Sequence, residues 1–341
     1  MLQLCIVIPC YNEQEVLPWT VRRLLSVLSE LQVSGEISDD SGLYLVDDGS
    51  SDSTWAVIEK LAAADPHVHG LKLSRNYGHQ NALLAGLFHV PGDVAISIDA
   101  DLQDDPDAIK QMLAAHRQGA EVVYGVRRRR HADSSFKRFT AEGYYKLLKA
   151  LGVEVVFNHA DYRLLSRRAI NALQAFGEAN LFLRGIVPQL GFSSATVLYD
   201  RVERFAGQSK YPLRRMLAFA IQGVTSFSAA PLRAITVFGL LVSFMSFAAV
   251  AWALWARFAQ GNVVPGWAST LVPMFFLGGI QLLSLGVIGE YVAKIYLETK
   301  QRPRYIIDRT ARAFASTRFV PGAPSSDVEL RASESRYETM E

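Results

Sequence analysis

Two stretches of this chain run 22 residues each without a charge, Ala234 to Trp255 and Trp267 to Ile288. About 20 apolar residues in a helix cross the hydrocarbon core of a bilayer. Trp252, Trp255 and Trp267 stand near the ends of the runs, where amphipathic rings settle at the headgroup level. The pair therefore reads as a transmembrane hairpin within residues 233–291, with spans 234–255 and 267–288. Two buried helices of a large core are the alternative, and two uncharged runs joined by a short loop fit it poorly. Arg214, Arg215 and Arg233 precede the first span, and Lys294, Lys300, Arg302, Arg304 and Arg309 follow the second, while the connecting loop carries only Arg257. Basic residues stay on the cytoplasmic side, so both termini are expected there, in a multi-pass protein of the inner membrane.

The remainder is an α/β chain. Its 341 residues suggest about two domains, and a net charge of +2 is too small to argue for nucleic acid. Cys5 and Cys10 are the only cysteines. They lie in or beside the first strand, on opposite faces and without metal spacing, and read as free thiols on a reducing side. The first strand begins almost at once, with no signal peptide expected.

Strands at Leu4–Pro9, Leu43–Val46, Leu71–Leu73, Asp93–Ile98 and Glu121–Val126 alternate with helices at Glu15–Leu31, Asp52–Ala64, a third ending at Phe88 and a fourth ending at His116. This rhythm implies a Rossmann-like, mostly parallel sheet covered by helices. Neither a dinucleotide-binding glycine pattern nor a P-loop is present. Polar residues follow successive strands: Tyr11-Asn12-Glu13, Asp47-Asp48, Arg75-Asn76, an acidic cluster and Arg127. All belong on one edge of such a sheet, where ligands of open α/β folds bind.

The acidic cluster is Asp99-Ala100-Asp101-Leu102-Gln103-Asp104-Asp105, with Pro106 expected to open the next helix. On an extended backbone Asp99 and Asp101 point the same way. Two converging carboxylates repel unless a cation lies between them. Hard oxygen donors, with Gln103 adding a carbonyl, suit Mg²⁺ or Mn²⁺ held together with substrate phosphates. A solvated loop capping the next helix is the plainer reading. Among the basic residues 127–130, Arg127 is the best candidate for a phosphate contact. Asp161, ahead of a helix expected over Ser166–Phe176, is a site candidate or a turn residue. Residues 212–232 carry apolar side chains at helical spacing and read as an interfacial helix on the membrane. The last two dozen residues read as a disordered tail.

The segments VIPCYNE (7–13), VDDGSSDST (46–54), LSRNYGHQNALLAG (73–86), DADLQDDP (99–106), RFAGQSKY (204–211) and GEYVAKIYLETKQRPRY (289–305) together resemble the polyprenyl-phosphate glycosyltransferases. These are inverting GT-A enzymes of glycosyltransferase family two, related to dolichyl-phosphate mannose synthase and to bacterial undecaprenyl-phosphate glucosyltransferases. The resemblance covers about residues 3 to 308. It implies a cytoplasmic GT-A catalytic domain over 1–211, the interfacial helix, the hairpin, and a cytoplasmic segment over 292–341. Pro9, Tyr11, Glu13, Val46 and Asp48 match positions that hold the base and ribose, with Asp47 close behind. Asp99, Ala100 through its backbone, Asp101 and Gln103 match the metal and diphosphate site. Arg127, Arg204 and Lys210 match basic residues near the diphosphate and the acceptor phosphate. Asp161 lies where bacterial relatives have a suggested catalytic base, although this chain has Ala160 where they often have glycine.

The reaction so implied moves a sugar from a nucleotide-sugar donor, UDP-glucose as the first choice, to a membrane polyprenyl phosphate such as undecaprenyl phosphate. The product would serve cell-envelope glycan modification. Mg²⁺ or Mn²⁺ is the implied cofactor, and similar proteins suggest a tetramer. A processive polysaccharide synthase would carry a Gln-x-x-Arg-Trp motif, which is absent, and more spans. A non-enzymatic protein that binds or moves lipid-linked sugars would have no need of the acidic cluster.

Overall fold

The computed structural model describes residues 1–128, 159–178, 183–200 and 267–312, with separate positions between 232 and 255. Arg204, Lys210 and almost all of the expected interfacial helix lie outside the described residues.

Strand β1 (Leu4–Cys10) is buried at every position, as a strand covered on both faces must be. Its even-numbered residues Leu4, Ile6, Ile8 and Cys10 enter one apolar cluster, together with α1 (Leu17–Val33), α2 (Thr54–Ala64) and α4 (Ala108–Arg117). Cys5 and Val7 enter the opposite cluster, with α3 (His79–His89), α5 (Arg167–Gln174) and α6 (Leu183–Gln189). The alternation of side chains along the strand thus builds three layers, with the sheet in the middle. Cys5 and Cys10 are free and buried on opposite faces, as expected. Burial pushes the Cys5 thiol up to about 11 and raises that of Cys10 as well, so neither is a reactive thiolate.

The sheet holds eight strands among the described residues. Besides β1 they are β2 (Gly42–Asp47), β3 (Val68–Leu73), β4 (Val94–Ser97), β5 (Val122–Arg127), β6 (His159–Ser166), β7 (Ser194–Tyr199) and β8 (Ile307–Ala311). Their order is β7-β5-β6-β4-β1-β2-β3-β8. The expectation of a mostly parallel sheet needs correction. Four pairings are parallel and three antiparallel, so the sheet is mixed. Strand β6 runs antiparallel between β4 and β5. Its sequence HADYRLLS is interrupted by charged and polar residues, which hides the strand from a hydropathy pattern. Strand β8 is an edge strand whose IDRTA sequence is mostly polar for the same reason that edges face water. Three helix starts also move by two residues. The first begins at Leu17 with Pro18 in its opening turn, the second at Thr54, and the one expected from Pro106 at Ala108.

Helix α7 (Trp267–Thr299) is 33 residues long. Within it Phe276–Thr299 is long and apolar enough to cross a membrane, the one such segment among the described residues. The helix therefore runs past the expected boundary at 288. At 1.5 Å per residue it is about 50 Å long, more than the ~30 Å of hydrocarbon in a bilayer. It leaves Met274, Phe276, Leu282, Leu283 and Leu285 exposed. The described positions of the first uncharged run are helical, and Phe238, Leu240, Phe244 and Trp252 among them are exposed as well.

After α7 the chain returns to the sheet. Arg304 donates to the carbonyl of Phe176, and Tyr305 packs edge-on against His89 with ring centroids 5.9 Å apart. The Ser74 amide donates to the Ile306 carbonyl at 2.9 Å. Strand β8 then pairs with β3. The long apolar helix is thereby fastened to the sheet beside the loop that leaves β3.

That loop packs against the loop after β2 at Gly49, whose φ is +65°. A Cβ at Gly49 would lie 2.3 Å from the Arg75 carbonyl carbon. Gly49→Ala is expected to cost about 1–3 kcal/mol through strain and displacement, read as a lower Tm. Gly35 has a φ of +70° and open space around it, so Gly35→Ala measures the strain alone. Equal losses at the two positions would show that the close approach contributes nothing.

Candidate active site

Strands β1, β2 and β4 are parallel, with Cys10 paired to Asp47 and Val7 to Ser97. Their C-terminal ends therefore open on one edge. Strand β5 reaches the same edge because it is antiparallel to β6, which is antiparallel to β4. The N-terminal end of β6 arrives there too. Ser97 pairs with Arg163. Stepping two residues outward along each strand puts Asp99 level with Asp161. His79, the first residue of α3, stands between them. Its Nε2 is 3.5 Å from Asp99 Oδ1 and 3.7 Å from Asp161 Oδ2.

Asp99 and Asp101 do not share an extended strand, contrary to expectation. Strand β4 ends at Ser97, Ala100 and Asp101 form a turn, and Leu102 has a φ of +51°. Asp101 Oδ1 accepts from the Gln103 amide at 3.2 Å, a local Asx turn. Neighbouring elements hold this loop at four points. Thr20 Oγ1 donates to the Ala100 carbonyl at 2.6 Å. Tyr162 Oη donates to the Asp105 carbonyl at 3.0 Å. Asp104, almost fully buried, accepts from Arg127 Nη2 at 3.1 Å and from Tyr199 Oη at 2.5 Å. Arg127 also gives its Nε to Tyr199 at 3.1 Å. Arg127 is thus built into the support of the acidic loop, with its side chain 27% exposed.

The two level carboxylates have opposite electrostatics. Burial raises the Asp99 pKa to about 6; His79 opposes this, while the charges of Asp104, Asp161 and Asp101 add to it. Burial acts on Asp161 in the same direction, but Arg163, Arg184 and His79 overcome it and hold that carboxyl far below the usual range. Arg163 Nη2 is 2.6 Å from Asp161 Oδ1. Arg184 reaches both oxygens at 3.4 Å through Nε and Nη2. Asp161 is therefore a firmly ionised carboxylate and a poor proton acceptor. Asp99 is a carboxylate in want of a cation.

The acidic loop fits a hard divalent ion by the chemistry of its donors. Asp99 and Asp101 supply carboxylates, and Asp99, whose charged form is penalised by burial and by its acidic neighbours, gains most from a positive charge. Among the described residues no three His, Cys, Asp or Glu side chains gather as a complete metal cage. One or two carboxylates completed by ligand phosphates is the usual arrangement for Mg²⁺. Gln103 lies in the same loop and is buried.

The residues matched to base and ribose surround the neighbouring strand ends. Pro9 lies in β1 and Tyr11 is exposed just past it. The Glu13 amide donates to Thr54 Oγ1 at 2.9 Å, and its carbonyl receives the Val16 and Leu17 amides. The Val46 side chain is in the core. Asp48 accepts the Tyr77 amide on Oδ1 at 2.7 Å and the Gly78 amide on Oδ2 at 2.9 Å. Its carboxylate thus braces the turn that places His79. Asp47 accepts the Ser50 amide at 3.1 Å, and its buried Oδ2 has no partner. Burial raises the Asp47 pKa.

Sequence reasoning assigned no role to His79, Asp104, Arg163, Arg184 or Tyr199. His79 and Asp104 stood inside recognised segments. Arg184 is a lone cation in an apolar stretch, Leu181 to Val187, a signal that could have been used. Nothing in the sequence marked Tyr199.

The model of glycosyl transferase family 2 matches residues 5–174. The chain is 50% identical over 307 residues to an uncharacterized glycosyltransferase, YkoT, of Bacillus subtilis (strain 168), covering 89% of this chain and 91% of that one. It is 40% identical over 309 residues to the bactoprenol glucosyl transferase of Shigella phage SfX, covering 90% and 99% of the two. Among solved structures, the mannosyltransferase PcManGT of Pyrobaculum calidifontis is 18% identical with a TM-score of 0.45, covering 87% of this chain and 85% of that one.

Folding raises the Asp99 pKa from 3.8 to about 6. The native state then binds that proton more tightly than the unfolded chain, so the associated stability is full below 3.8 and is lost as pH climbs to about 6. Asp161 has the reverse sign, contributing stability that is lost as pH falls below 3.8. In protein kept free of metal with EDTA, Asp99→Asn is expected to raise Tm at pH 7.5 by an increment that shrinks toward pH 4. Asp161→Asn is expected to lower Tm at pH 7.5. Thermal melts across this range check both, and a pH-independent increment at Asp99 would contradict the charge argument.

Proposed function

This chain belongs to glycosyl transferase family 2 and is a glycosyltransferase, and on that premise we propose that it moves a sugar from a nucleotide-diphosphate sugar to the phosphate of a membrane polyprenol, with inversion at the anomeric carbon. UDP-glucose and undecaprenyl phosphate are the first choices of donor and acceptor. The likeness to a bactoprenol glucosyl transferase over nearly the whole chain supports the reaction class. One observation of the structure carries the reading: an acidic loop in need of a cation lies level with an ionised carboxylate held by two arginines, at the edge where the strands end.

Asp99 and Asp101, with Gln103, would hold Mg²⁺ or Mn²⁺. The ion, when bound, supplies Lewis-acid neutralisation of charge on the leaving diphosphate. The chain's own residues do the rest. Thr20, Tyr162, Arg127 and Tyr199 keep the acidic loop in place, so that its geometry is set before substrate arrives. Tyr11, Glu13 and the loop after β2 lie where the nucleoside would rest. A phosphate monoester has a second pKa near 6, judged from phosphorylated side chains, and is largely ionised at neutral pH. The acceptor therefore needs little help in losing a proton. Asp161, held low by its arginines, acts by orientation.

The membrane part follows from the lipid. Lifting a polyprenol into water costs about 0.8 kcal/mol per exposed CH₂, so the enzyme must work at the bilayer surface. The exposed apolar length of α7 supports an anchor, and its attachment through β8 would keep the catalytic edge at the headgroups. A two-span anchor with both termini cytoplasmic, an interfacial helix and a tetramer belong to this proposal.

The test uses full-length protein in detergent with undecaprenyl phosphate and radiolabelled UDP- and GDP-sugars. One donor is expected to give a lipid-soluble product with Mg²⁺ or Mn²⁺ and none with EDTA. Asp101→Asn is expected to lower kcat/KM by about a hundredfold or more, and Asp161→Asn by less. No lipid product from any donor, in protein that still binds nucleotide, would overturn the proposal.

A further inference from the structure

The cluster around Asp161 carries more positive than negative charge. Asp161 brings one negative charge, and Arg163 and Arg184 bring two positive ones. Arg163 is buried, with Nη2 on Asp161, Nη1 on the Leu183 carbonyl at 3.3 Å and a buried Nε that no solvent or ligand reaches. Arg184 differs. Its side chain is 42% exposed and its two contacts with Asp161 are long, at 3.4 Å. A guanidinium has five donors, and Asp161 takes two. His79, 43% exposed, lies near the same Asp161 Oδ2 that Arg184 Nη2 contacts, and also reaches Asp99. The edge is therefore acidic at Asp99 and Asp101 and basic at Arg184. Arg184 is thus a half-exposed guanidinium on the carboxylate that shares His79 with Asp99. Arg127, by contrast, directs two of its donors to Asp104 and Tyr199.

We propose that Arg184, with His79 beside it, is the seat of the acceptor's phosphate monoester, and that Asp161 is a positioning residue which aims the Arg184 fork. This rests on the transfer reaction proposed above. Arg204 and Lys210, outside the described residues, play no part in the assignment. The shared ligand chemistry is a phosphate monoester or inorganic phosphate, and the lipid-linked form is the one assigned.

The full-length protein in detergent is tested for equilibrium binding of undecaprenyl phosphate, undecaprenol, inorganic phosphate and UDP, and for steady-state kinetics. Arg184→Gln is expected to weaken binding of undecaprenyl phosphate, and to raise its KM, by about tenfold or more, the equivalent of one lost charge-assisted hydrogen bond. UDP affinity should stay within about twofold, since the nucleotide loops are untouched. Arg184→Lys should recover part of the loss, because the charge returns without the fork. In an Asp161→Asn background, Arg184→Gln should add little, since the two act as a unit. Unchanged acceptor affinity in Arg184→Gln, or equal loss of UDP and lipid phosphate, overturns the assignment. Arg184-dependent binding of inorganic phosphate as tight as that of the lipid also overturns it. Arg184-dependent lipid binding without any sugar transfer keeps the seat and removes the transfer reading.

Discussion

Two carboxylates brought level by one antiparallel strand pair set the terms for everything around them. Asp99 and Asp161 lie just beyond the last β4–β6 pair, Ser97 with Arg163, and His79 approaches both. Like charges this close in a half-buried crevice must be compensated. The fold answers differently on each side. Asp161 receives two arginines, one of them buried, and stays ionised. Asp99 receives only a half-exposed histidine among neighbours that are mostly acidic, and its pKa rises. A site that is short of positive charge on one side and rich in it on the other suits the proposed transfer, in which a sugar passes from a diphosphate that would be held by a metal ion to an anionic acceptor.

Such a site needs a rigid frame, because small displacements of charged groups cost rate. The frame here is made of hydrogen bonds that cross between elements. Asp48 ties the turn before α3 to the end of β2. Thr20 ties the acidic loop to α1. Arg127, Asp104 and Tyr199 tie it to β5 and β7. Ser97 Oγ, donating to the Asp161 carbonyl at 2.5 Å, fixes β6 against β4. Tyr199 also packs edge-on against Tyr162, with ring centroids 5.3 Å apart. Asp47 and Asp104 each keep one buried oxygen without a partner. Unpaired acceptors of this kind cost stability.

The same edge is joined to the long apolar helix. Through Arg304, Tyr305 and the β8 strand, the chain leaving α7 is fixed to β3 and to the loop that places His79. The helix is therefore part of the frame, and the distance between the catalytic edge and the apolar surface is set by hydrogen bonds. For a substrate whose reactive group sits at the end of a lipid, that distance decides what can be reached.

The sequence by itself determined the three-layer α/β plan, because apolar periodicity and strand burial are local properties that survive without neighbours. It also determined that the polar residues after β1 to β5 share one edge, since parallel strands all end on the same side. The uncharged run within α7 was legible for the same reason. The tertiary structure alone decided the rest. Strand β6 carries Asp161 and Arg163, so its pattern was too polar to read, and only pairing with β4 showed that Asp161 stands near Asp99. The bend after Ser97 took Asp99 and Asp101 off an extended strand. Arg127 was legible as a cation at the site, but its tie to Asp104 and Tyr199 joins residues 23 and 72 positions apart. His79 and Arg184 acquired meaning only when the fold brought both to one carboxylate. Charge compensation depends on distance in space, and a sequence states only distance along the chain.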